Sequence, residues 1–147
     1  MKNEKFKNPI VVVFLALIAN FLLILGQFFV PAISEFFEGS LFFLLPFVVF
    51  CSLGGLLVFL TIKRKVRGNL RKFLLLTGFS AVGFLVFSIL HNLFYALEIV
   101  AKKFFLLAFL FGFLHGAFFI IAVLACPLGF LAGLAGGIFT FLKKKRV

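Results

Sequence analysis

The chain has no aspartate and no tryptophan, one tyrosine, one methionine, and only four acidic residues in 147. Paired aspartyl chemistry is thereby excluded, and neither an H-E-x-x-H nor a G-x-S-x-G pattern occurs. Glycine-rich phosphate loops are missing as well, so no enzymatic activity and no cofactor is expected. Cysteine is scarce: Cys51 and Cys126 stand 75 positions apart in apolar stretches, with no C-x-x-C and no histidine at ligand spacing. Zinc and thioredoxin-type chemistry are unsupported by that pattern, and both thiols read as small buried hydrophobes.

Polar surface is the largest shortage. The sequence is 65% hydrophobic with 27 phenylalanines, and its mean hydropathy is +1.31. A soluble core cannot hide apolar runs of some twenty residues that lack a polar face, which leaves lipid as the solvent. The net charge of +11 would suggest nucleic acid in a soluble protein. Here the 15 basic residues cluster between apolar runs, where membrane topology accounts for them, so no nucleic-acid partner is expected. The expected fold class is all-α: a polytopic transmembrane bundle forming one membrane domain over 1–147.

Four spans are expected, at about 9–30, 41–62, 73–97 and one crossing within 104–142. Asn8 followed by Pro9 supplies an amide cap and a first-turn proline for span one. That run has 22 uncharged residues, about 33 Å of helix, which suits a hydrocarbon core of about 30 Å and is too long for a signal-peptide apolar region. Residues 31–40, with Glu35, Glu38 and Gly39, read as a short loop in which Ser40 caps the next helix. Span two contains Pro46 and the Gly54-Gly55 notch, and it ends in the basic loop 63–72.

Span three carries a stripe at positions 77, 80, 81, 84, 88, 91, 92 and 95 that is small or polar at all but Phe84. Steps of three and four place it on one helical face, which should point at other helices rather than at acyl chains. The last run, 104–142, has 39 residues without a charge, about 58 Å if straight and nearly twice a bilayer core. A kink or break is expected near Pro127.

Charge placement orients the spans. With the N-terminus inside and four crossings, 13 of the 15 basic residues lie on the cytoplasmic side; splitting the last run into two spans would leave nine. The positive-inside rule selects the first arrangement, with both termini cytoplasmic. The final crossing is then 104–125, with 128–142 along the inner surface, or preferably 119–142, with 104–118 folded along or into the outer boundary; a long, strongly tilted helix is a third arrangement. The expected location is a cell membrane, the cytoplasmic or inner membrane of a microbe. Anionic lipid is the expected partner of the basic loops.

Few residues could carry a function. Asn20 and Gln27 share a face of span one and need partners in hydrocarbon, for which interhelical hydrogen bonds suffice. Ala125, Gly129, Gly133 and Gly137 recur every fourth position, a ladder suited to packing within the bundle or to a homo-oligomer. The one candidate polar cluster is His91, Tyr95 and Glu98, spaced i, i+4 and i+7, joined by His115 if the crossing is 119–142, with Asn92 and Glu35 or Glu38 able to converge there. Such a group would bind a cation or relay protons; otherwise Tyr95 belongs to an aromatic belt, Glu98 is solvated, and each histidine is singly hydrogen-bonded. Two functions follow: a non-enzymatic bundle acting through self-association or a membrane partner, or a small-solute or ion carrier or pore using the outer polar group.

Overall fold

Proline lacks the N–H that a helix leaves unused in its first turn, and the first described helix begins on one. The computed structural model describes residues 9–37 and 41–145. Helix α1 runs Pro9–Phe29, α2 Pro31–Phe37, α3 Leu45–Lys63, α4 Asn69–Val100, α5 Phe105–Ile120 and α6 Cys126–Lys145. Short 3₁₀ segments, Leu41–Leu44 and Ala101–Lys103, precede α3 and α5, and a π turn, Ile121–Ala125, joins α5 to α6. No strand occurs among the described residues. The expected caps Asn8 and Ser40 lie outside them, as do Lys2, Lys5, Lys7, Glu38 and Arg146.

Four helical segments are long and apolar enough to cross a membrane: Pro9–Phe29, Phe42–Lys63, Asn69–Lys103 and Phe105–Lys143. Two boundaries differ from expectation. The described part of the supposed loop 31–40 is the helix α2, which packs only on α1 and the 3₁₀ turn before α3. The third helix starts at Asn69, four residues before the apolar run, so Arg71 and Lys72 belong to its first turn. Gly68, at a φ of 72°, turns the chain there, and a basic side chain can stand in a helix end while its head reaches water.

The last run is a continuous helix in which a π turn takes the place of the break expected at 126–129. Pro127 cannot donate to the carbonyl of Val123, and its ring presses on that carbonyl; the wider π turn contains Val123 and absorbs both effects. The segment 104–118 is the first part of that helix. After a tight turn in which Phe104 N–H donates to Ala101 C=O at 2.8 Å, α5 returns antiparallel along α4.

The helix α4 is the spine. It packs closely on α3 along one side and on α6 and α5 along the other, while α1 packs closely on α3. Backbone approach sets these contacts. A Cβ added at Gly54 would come within 2.8 Å of the Gly78 carbonyl, and one added at Gly78 would come equally near the Gly54 carbonyl, so the α3–α4 crossing tolerates only glycine on both sides. Between α1 and α6 the distance is larger and phenylalanines fill it: Phe14 meets Phe141 at 5.7 Å and Phe21 meets Phe130 at 4.8 Å between centroids. Phe50 also closes on Phe130, at 4.9 Å. These edge and tilted arrangements suit the ring quadrupole.

Several hydroxyls in these helices are satisfied locally. Thr61, Thr77, Ser88 and Thr140 donate to the carbonyl four residues earlier, at 2.7 to 2.9 Å, the usual way for a hydroxyl to avoid stranding its proton in an apolar helix.

Candidate functional site

Two of the flagged groups turn inward as struts. Asn20 Nδ2 donates to the Pro46 carbonyl at 2.8 Å, and Gln27 Nε2 lies 3.4 Å from the Phe43 carbonyl. Pro46 has no N–H to offer Phe43 three residues back, so the amide from α1 takes part of that role. The Gln27 Oε1 is buried and has no partner. The glycine ladder is likewise used inside the chain: Gly129 lies against Ser80, Gly133 against Thr77 and Gly137 against Phe14.

The cluster of His91, Tyr95, Glu98 and His115 is brought together at the outer part of the α4–α5 hairpin. Its register follows from the tight turn at 101–104, which sets Phe87 against Phe118 and Phe94 against Phe111. His91 then faces His115 with 5.1 Å between ring centroids, and it also meets Phe119 at 5.2 Å. Tyr95 touches the His115 ring edge-on at 5.5 Å but is 52% exposed. Asn92 points away and donates to the Ser88 carbonyl at 2.8 Å. Glu35 is exposed on α2, which does not pack against α4 or α5.

His91 Nδ1 lies 3.0 Å from the His115 carbonyl oxygen. A carbonyl only accepts, so Nδ1 carries the proton and, in the neutral ring, Nε2 carries the lone pair. His115 Nδ1 is 2.8 Å from Glu98 Oε2. That contact is electrostatic rather than a directed hydrogen bond, because both atoms are buried and neither has a partner in hydrogen-bonding geometry. Space for the carboxylate comes from Gly112: a Cβ there would stand 3.2 Å from Glu98 Cδ. The spacing of Gly112 three residues before His115 puts the two on one helical face, a signal that the chain contains but that means nothing until Glu98 is known to lie opposite.

Beside the carboxylate an open hollow of about 390 Å³ runs over the hairpin, lined by Glu98, Gly112, Phe105, Phe109 and Phe113. Between α1, α3, α4 and α6 there is a separate cavity of about 40 Å³ walled by Phe21, Phe50, Phe84, Phe130, Cys126 and Pro127. No three His, Cys, Asp or Glu side chains among the described residues converge on a single metal-sized point. Both cysteines are free, Cys126 buried and Cys51 half-buried. Comparison with protein-family models, with curated proteins and with solved structures finds no match for this chain.

Proposed function

We propose that this chain is a four-span protein of a microbial cell membrane, with both ends cytoplasmic, acting as a non-enzymatic bundle that associates with itself or with a membrane partner. Charge supports the orientation. The turn after α3 and the start of α4 carry Lys63, Arg64, Lys65, Arg67, Arg71 and Lys72, all exposed, and Arg67, Arg71 and Lys72 rim a hollow at the uncapped amide end of α4. Anionic lipid headgroups suit that end of the bundle.

The observation that carries the association is the overhang of the hairpin. Counted from Lys72, a core of about 30 Å is crossed after about 20 residues, near Leu93, yet α4 and its 3₁₀ turn continue to Lys103. About 15 Å of hairpin remains, uncharged on the α5 side and carrying Glu98, Lys102 and Lys103 on the α4 side. To bury it by tilting alone the pair would have to lean about 50°, beyond the range of about 0–40° that membrane helices adopt. The overhang touches no other helix, and Phe105, Leu106, Phe109 and Phe113 are between 67% and 83% exposed. Apolar surface of that extent outside hydrocarbon is covered by protein.

A photocrosslinking residue at position 109, activated in intact membranes, tests the proposal. A protein adduct of defined mass is expected; adducts to lipid alone would overturn it. The second reading, a small-solute or ion carrier, is favoured by one feature, the His91–Glu98–His115 group. The 40 Å³ cavity in the bundle is apolar and has room for water only, so a solute path would run along the hairpin surface. Flux into vesicles containing the purified protein separates the two readings.

A further inference from the structure

We infer that His91 and His115 form a two-imidazole site for a borderline divalent cation of the Zn²⁺ or Cu²⁺ class, with Glu98 as the positioning residue behind His115. The chain has two histidines in all. They are 24 positions apart, on different helices, and they meet. A ligating histidine characteristically has its second ring nitrogen held by a backbone carbonyl or a carboxylate, which selects the tautomer and leaves the other nitrogen for the metal. His91 has that arrangement, with Nδ1 on the His115 carbonyl, and His115 has its beginnings, with Nδ1 2.8 Å from the Glu98 carboxylate but not yet hydrogen-bonded to it. Each ring thereby keeps Nε2 for a ligand.

Spacing agrees with this. Two imidazoles bound at about 2.0–2.1 Å to one tetrahedral cation have ring centroids about 5 Å apart, and the observed separation is 5.1 Å. The buried Glu98 Oε2 and His115 Nδ1, close but not hydrogen-bonded, are a second sign of an incomplete group. A cation polarises the imidazole it binds, which strengthens the pull of its N–H on the carboxylate and improves a contact now out of line. Two protein ligands leave positions open for water or an anion. Nitrogen ligands of intermediate softness favour Zn²⁺ and Cu²⁺ over Mg²⁺ or Ca²⁺.

The test uses untagged full-length protein in nanodiscs titrated with Cu²⁺, with pulsed EPR counting bound imidazoles through their remote nitrogens. One cation per chain and two imidazoles are expected. Because no other histidine exists, the wild-type count alone decides: one imidazole, or none, overturns the site. Zn²⁺ should displace the Cu²⁺ signal in competition, and Mg²⁺ should not. His91→Gln and His115→Gln should each lower affinity by more than the about 10- to 100-fold expected for Glu98→Gln, whose effect is that of a lost outer partner. Affinity unchanged in Glu98→Gln would remove the positioning role, and a His91→Gln, His115→Gln double variant binding as well as wild type would remove the site itself.

Discussion

The two halves of α4 are built from similar residues but have different neighbours. In the inner half Leu74, Thr77, Gly78, Ser80 and Ala81 are buried; beyond Ala81 no residue of the helix is, and none in α5. The inner half is wedged between α3 and α6, with Gly78 against Gly54 and Thr77 against Gly133, whereas α5 packs on no long helix other than α4 among the described residues. Side-chain size follows the number of neighbours. Where helices flank it on both sides, the buried positions of α4 other than Leu74 are glycine, alanine, serine and threonine, because close backbone approach needs small residues. Where only one helix is adjacent, Phe87, Phe94 and the two histidines fill the seam. Polar groups differ in part: Thr77, Ser88 and Asn92 return their protons to the α4 backbone, whereas His91 and Glu98 meet His115 across the helices.

The comparison breaks most readily at Phe130. This side chain is 1% exposed and touches the rings of Phe21 and Phe50. Phe130→Ala should cost about 3 kcal/mol, the low end for a buried phenylalanine. Phe109→Ala, on the overhang, should stay within about 0.5 kcal/mol for the isolated chain. Reversible unfolding in bicelles, followed by steric trapping, measures both. Equal losses would mean that the outer half is as tightly packed as the inner.

Glycine gives a smaller contrast of the same kind. A Cβ at Gly133 would come within 2.7 Å of the Thr77 backbone nitrogen, whereas at Gly116 nothing lies within 4 Å. Gly133→Ala should therefore cost about 1–3 kcal/mol through forced separation of α4 and α6. Gly116→Ala should be stabilising by up to about 1 kcal/mol, the difference in helix propensity. The same unfolding assay orders the two, and a destabilised Gly116→Ala would show that α5 has a close neighbour on that face.

Features confined to one helix were legible in the sequence. The apolar runs gave four spans, and the three-and-four spacing gave the face of α4 that carries Thr77, Ser80 and Ala81 inward. That spacing also grouped His91, Tyr95 and Glu98. It overstated Asn92 and Tyr95, which are exposed, because a stripe that runs from 77 to 95 drifts round the helix and its edges leave the seam. Relations between helices were not legible. Whether His115 faces His91 depends on the number of residues in the turn at 101–104, and shifting α5 by one residue would rotate its ring by about 100° away. The helix α2 was hidden because Pro31 and two glutamates read as loop punctuation, although proline is at home in a first helical turn. The π turn has no sequence signal of its own beyond Pro127 following it.

The smallest expected effect separates two amides that the sequence presented as equivalent. Asn20 makes a 2.8 Å hydrogen bond to Pro46, whereas Gln27 reaches Phe43 only at 3.4 Å and leaves its Oε1 buried without a partner. An interhelical hydrogen bond in a membrane is worth about 0.6 kcal/mol on average, and up to about 1.7. Removing a well-made bond loses that amount, while removing a side chain with an unpaired buried acceptor also removes a desolvation penalty of about 1–3 kcal/mol. Asn20→Leu should thus destabilise by about 0.6–1 kcal/mol, and Gln27→Leu should be neutral or stabilising in the same unfolding assay. A loss at Gln27 equal to that at Asn20 would mean that its oxygen has a partner, and that the outer end of the α1–α3 pair, like the seam of the hairpin, is built to hold a polar guest.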